Sequence, residues 1–133
     1  MAETDADRKF QKELNSGLSG LVALALIVRS GRAMYGYEIA MELAGISAEG
    51  LPMHQGALYP VLRSLERSEL LTSYVQPSTS GPPRKYYSPT DLGTQVLAQW
   101  KQSWQRTRNI VDAVVEKDHV RRAHSSRRSP QIS

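Results

Sequence analysis

The chain has 133 residues, 40% of them hydrophobic, a composition that supports one domain with appendages. It contains no cysteine, which excludes disulfides, thiolate catalysis and cysteine-ligated zinc. Its formal charge of +4 comes from the last fifteen residues, which hold Arg121, Arg122, Arg127 and Arg128 and no acid; in residues 1–118 thirteen cations match thirteen acids, so any claim on nucleic acid must rest on where charges sit.

Residues 1–13 are polar and are expected to form a flexible N-terminus, from which Phe10 is able to dock. The start, Met1 to Asp7, is acidic, unlike a secretory signal, and the longest apolar run, Leu21 to Val28, is eight residues. That is far below the roughly 18–20 needed to cross a bilayer, so a cytoplasmic chain with no membrane partner is expected. An apolar stretch of helix length runs from about Leu14 to Arg29 and stops at Ser30-Gly31. Gly36 opens a second, short helix, Tyr37 to Leu43, with Ile39, Ala40 and Leu43 inward. Gly45 to Met53, containing Gly50 and Pro52, reads as a connector.

The third helix, Gln55 to Arg67, is amphipathic. Leu58, Val61, Leu62 and Leu65 share one face, leaving Gln55, Tyr59, Arg63, Glu66 and Arg67 towards solvent. Leu70 to Val75 has strand character, Gln76 to Pro83 is a turn-forming tip, and Arg84 to Ser88 returns as a strand. Thr90 is a helix N-cap with Asp91 at the positive end of the dipole. The expected fold is mainly α with a small β-hairpin: a winged helix-turn-helix over residues 14–90, a C-terminal dimerisation helix over 91–118 and a disordered basic tail over 119–133.

A helix showing polar and aromatic side chains, followed by a cation-tipped hairpin, suits double-stranded DNA: the helix enters a groove and the hairpin grips backbone or minor groove. Gln55 has the geometry to pair with adenine, but an ordinary solvated glutamine is an equal reading. His54 caps the helix, touches a phosphate or does neither. Tyr59, one turn beyond Gln55, contacts phosphate or a thymine methyl, or packs beneath the wing. Arg63 follows a turn later as a phosphate ligand or a solvated charge. Tyr37 either reaches a phosphate or is buried. Arg84 and Lys85 fit backbone or minor-groove insertion, yet strand alternation keeps both from facing DNA unless the strand twists. Of Tyr86 and Tyr87, one is expected in the core and the other near the surface. The basic tail either adds sequence-blind DNA affinity or only solubilises the chain.

Leu97, Trp104 and Val111 are seven apart, with Trp100, Thr107 and Val114 interleaved. This short heptad stripe needs a cover, and a symmetric second copy is the simplest one, giving a homodimer; packing on the chain's own first helix is the other reading. Trp100 and Trp104 share a face, as apolar anchors or as walls of a slot for a planar ligand. No catalytic constellation, metal set or phosphate-cradling glycine loop is legible, so no enzyme activity, cofactor or metal is expected.

Four segments, Met34-Tyr35-Gly36-Tyr37-Glu38-Ile39, Gly56-Ala57-Leu58-Tyr59-Pro60 with Leu65-Glu66, Pro83-Arg84-Lys85-Tyr86-Tyr87 and Thr90-Asp91-Leu92-Gly93, resemble the PadR family of bacterial transcriptional regulators in order and spacing. The resemblance spans about residues 14–115, and the single C-terminal helix is similar to the small subfamily. It implies a homodimeric winged helix, usually a repressor, released from a pseudo-palindromic operator by a small aromatic or lipophilic effector. Trp104 occupies the position where multidrug-binding members carry a ligand-stacking tryptophan. The chain departs from the family pattern in four places. His54-Gln55 stands where Ser-Pro is common, Glu69 where a glycine is usual, Pro82 or Pro83 where the wing often has an arginine, and Pro89 where an aliphatic is usual. The other functional reading is a winged-helix interaction or constitutive architectural module with no effector.

Overall fold

The structure, a computed structural model, describes residues 2–46 and 55–116. The chain divides into two compact units, Met1–Leu97 and Ala98–Ser133. The break falls inside the last helix, whose first turns belong to the first unit.

α1 (Asp5–Ser30) begins well before Leu14. Residues 5–13, expected to be flexible, are helical because Thr4 and Asp7 form a reciprocal capping box: Thr4 Oγ1 accepts from the Asp7 N–H at 3.0 Å and Asp7 Oδ2 accepts from the Thr4 N–H at 3.2 Å. The helix stops where expected, at Gly31, whose φ of 70° takes the left-handed cap conformation that a Cβ disfavours. Ala23, Leu24, Leu26 and Ile27 present its buried face.

β1 (Met34–Tyr35) leads directly into α2 (Gly36–Ile46), which buries Ile39 and Leu43. Glu38 ties this junction. Its carboxylate accepts from the Tyr35 N–H at 3.4 Å and pairs with Arg32 at 2.7 Å. α3 (Gln55–Arg67) buries Leu58, Leu62 and Leu65, matching the apolar face read from spacing. β2 (Leu71–Gln76) and β3 (Arg84–Pro89) form the hairpin, and β1 adds a third antiparallel strand in the order β1-β3-β2. This third strand is not legible in the sequence. At two residues it has no periodicity of its own and exists through its pairing of Met34 with Tyr87 and Tyr35 with Tyr86. Met34, Leu71 and Tyr87 close the core against the three helices.

α4 (Asp91–Val115) is tied to the end of α3 by a compact junction. The Leu70 N–H donates to the Leu65 carbonyl and the Glu69 N–H to the Glu66 carbonyl, each at 2.9 Å. This is a Schellman end closed by buried Leu65 and Leu70. Glu69 fills its left-handed position with φ 63°, so the turn keeps the usual conformation without the usual glycine. Thr90 joins the two helices: its hydroxyl donates to the Glu69 carbonyl at 2.7 Å and accepts from the Gly93 N–H at 2.9 Å, confirming it as the N-cap. Gly93 lets the helix approach the Leu70 backbone. A Cβ there would lie 2.1 Å from the Leu70 carbonyl oxygen.

In the second unit α4 continues from Ala98 to Val115 with Ile110, Val111, Val114 and Val115 exposed; Val115 is 75% exposed. Among the described residues no helix is long and apolar enough to cross a membrane, and no group of carboxylates and imidazoles is arranged to hold a metal ion. The basic tail and His54 lie outside the described residues.

Candidate nucleic-acid interface

The amphipathic pattern of α3 puts its apolar face in the core and thereby turns Tyr59 and Arg63 outward on successive turns. The hairpin pairs Gln76 with Arg84 and Val75 with Lys85, so the two cations stand at the base of the tip. Between them opens a cleft of about 540 Å³. Tyr37, Tyr59, Arg63, Arg84 and Lys85 all line it, together with Tyr35, Gly36, Tyr87 and the tip residues Ser78, Ser80, Pro82 and Pro83. Five of the side chains expected at DNA are therefore brought to one concave surface from three different elements. Gln55 opens α3 as expected.

Tyr37 is exposed rather than buried. Tyr59 is 37% exposed and packs on the start of α2: a Cβ at Gly36 would meet its ring at 2.3 Å. This is the physical reason for glycine at position 36, where ring and backbone touch directly. Arg63 is exposed on the cleft wall.

The two wing cations take different partners. Arg84 lies over the Tyr35 ring, 4.5 Å from its centroid. Lys85 is drawn to the α3 side: its Nζ is 3.3 Å from Glu66 Oε1 and 5.5 Å from the Tyr87 ring centroid. Strand alternation separates their bases, as expected, yet both long side chains reach the cleft. Of the tyrosines, Tyr87 is the core residue. Tyr86 lies between Tyr35 and Tyr74, with ring centroids 5.3 and 5.4 Å away.

Glu66 is the residue whose role the sequence did not disclose. Read as a solvated position, it instead accepts a hydrogen bond from the Ser73 hydroxyl of β2 while pairing with Lys85 of β3. The Ser73 bond is the main cause that holds its carboxyl below the usual carboxylate range; burial opposes it, and Lys85 adds to the lowering. No spacing rule links residues 66, 73 and 85, because the hairpin register brings them together. Trp100 is half-buried and Trp104 is 36% exposed on α4.

This arrangement of three helices, a three-stranded wing and a further helix has close counterparts. The profile of the Transcriptional regulator PadR-like family matches residues 24–99. The chain belongs to this family. A PadR family transcriptional regulator from Eggerthella lenta is 30% identical, with a TM-score of 0.68 and coverage of 84% of this chain and 94% of that one. A PadR-like transcriptional regulator from Bacillus cereus is 29% identical, with a TM-score of 0.63 over 78% of this chain and 97% of its own. An uncharacterized protein of Lysinibacillus sphaericus is 32% identical over 95 residues, 71% of this chain and 85% of the relative. PadR membership makes the chain a winged-helix transcriptional regulator by family, and the cleft lies within the matched residues.

Proposed function

We propose that this PadR-like chain is a homodimeric, ligand-responsive repressor that binds an inverted-repeat operator in double-stranded DNA. The single observation carrying the DNA reading is the cleft, where Tyr37, Tyr59 and Arg63 from the helices face Arg84 from the wing. Arg63 and Arg84 grip phosphates, Gln55 and Tyr59 approach the bases, and His54 touches a phosphate. Two recognition helices related by a two-fold axis enter successive major grooves about 34 Å apart. The exposed stripe of Trp104, Val111 and Val114 on α4 supports a second copy as its cover. A planar aromatic or lipophilic effector stacks on Trp100 and Trp104 and shifts the population of dimers away from the DNA-compatible spacing. The protein works in the cytoplasm.

A gel shift on the chain's own promoter at near-physiological salt, with Arg63→Ala beside it, tests the reading. A discrete, competitor-resistant complex weakened by the substitution is expected. Quenching of tryptophan fluorescence by planar aromatics, lost in Trp104→Ala, is expected for the effector; unchanged affinity in that variant removes Trp104 from the site. The neutral charge of residues 1–118 and the pairing of Lys85 with Glu66 favour a second reading, a winged-helix interaction module without effector. That reading predicts no sequence-specific shift at about 150 mM salt, where sequence-blind phosphate contacts are already weakened.

A further inference from the structure

We propose that Glu66 is an internal competitor of DNA phosphate for Lys85, withholding one cation of the wing and so setting the strength of its grip. The inference rests on the reading of the cleft as a DNA interface. Its basis is a three-element constellation. Glu66 comes from the last turn of α3, Ser73 from β2 and Lys85 from β3, with Lys85 Nζ 3.3 Å from one carboxylate oxygen and the Ser73 hydroxyl donating to the other. Ser73 holds the carboxylate in place, so Lys85 meets a pre-set anion rather than a mobile one.

Both charges are part-exposed, Lys85 at 45% and Glu66 at 32%, so solvent and ions reach the pair. Lys85 nevertheless gains little by moving to DNA, since it exchanges one anion for another and leaves Glu66 uncompensated beside the phosphates. Arg84 is in a different position. Its partner is the neutral Tyr35 ring, and a phosphate adds a full charge interaction. The wing therefore presents one available cation and one restrained cation, although the sequence shows two adjacent ones. Glu66 acts through Lys85 and is a positioning residue, not a contact to DNA.

Counterion release separates this from a merely structural ion pair, because each phosphate neutralised adds about 0.9 to the slope of log affinity against log salt. Fluorescence anisotropy would follow binding of the full chain to operator DNA, and to a scrambled duplex, between about 50 and 200 mM salt. The variants are Glu66→Gln, Lys85→Gln and the double substitution. Glu66→Gln keeps the shape of the side chain and its acceptor for Ser73. It is expected to bind more tightly at low salt and to lose about three- to fourfold more affinity per protomer across that range than the unsubstituted chain. Lys85→Gln alone is expected to leave the slope unchanged, and the double variant to return it to the original value. Equal loss of slope on Lys85→Gln in both backgrounds would overturn the proposal, because Lys85 would already be on phosphate; an unchanged slope in Glu66→Gln would overturn it as well. Thermal melts check that each variant is folded. If Glu66→Gln fails to fold, Ser73→Ala, which loosens the carboxylate without removing a charge, is read instead: a steeper slope supports the restraint and an unchanged one overturns it. Sequence-specific binding without these slope changes defeats this inference alone, whereas absence of binding to either duplex defeats the DNA reading with it.

Discussion

Replacing Glu69 by glycine is expected to stabilise the protein, although it deletes a side chain. Glu69 holds φ 63° at the Schellman end of α3, where its Cβ crowds the following carbonyl. For an L-residue this conformation costs roughly 1–2 kcal/mol relative to the right-handed one. Its side chain is exposed and makes no hydrogen bond or ion pair among the described residues, so no compensating contact is lost. Glycine removes the strain but loses about 0.5–1 kcal/mol more backbone entropy on folding. The net gain is on the order of 0.5–1 kcal/mol, a rise in Tm of roughly 2–5 °C for a domain of this size. Glu69→Ala is the control. It removes the same charge and keeps the Cβ, and should stay within about 0.5 kcal/mol of the original. Thermal and urea unfolding of the three proteins decide the matter. Equal stability of the glycine and alanine variants would refute the strain reasoning.

The same junction yields two further expectations. Gly93→Ala forces a Cβ to 2.1 Å from the Leu70 carbonyl, a backbone atom unable to yield, and should cost about 3 kcal/mol in denaturant unfolding. Thr90→Val removes a hydroxyl that both caps α4 and donates to the Glu69 carbonyl, an expected loss of about 1–3 kcal/mol by the same measurement. Acid sensitivity tests Glu66. Because folding lowers its pKa, the folded state binds this proton more weakly than the unfolded chain does. Its contribution to stability is therefore complete above the ordinary carboxylate range and is lost as pH falls through that range to the depressed folded value. Unfolding measured across acid pH should show this loss, and Glu66→Gln should flatten that part of the profile.

How much of this was legible depends on the range of the interactions. The face of α3, the stop at Gly31, the cap at Thr90 and the tip before Arg84 are local, and each has a periodicity or a turn residue that announces it. The early start of α1 is equally local: the Thr4 to Asp7 spacing is its signal, masked by the polar composition around it. β1, by contrast, is two residues defined by their partners. Glu69 shows that a left-handed turn can survive without its glycine when the flanking leucines are buried and the carbonyls are bonded on both sides. The cleft was legible residue by residue but not as a shape. Tyr59 on Gly36 and Glu66 with Ser73 and Lys85 are contacts between elements, set by packing and hairpin register, which spacing along the chain does not encode.

If the protein acts as proposed, the cleft between α3 and the wing holds DNA. Amide and side-chain NMR shifts of the full chain, followed while a genomic fragment enriched by binding is titrated in at about 150 mM salt, test it most directly. The largest changes are expected at Tyr37, Tyr59, Arg63 and Arg84. Changes absent from these residues and confined to other surfaces would contradict it.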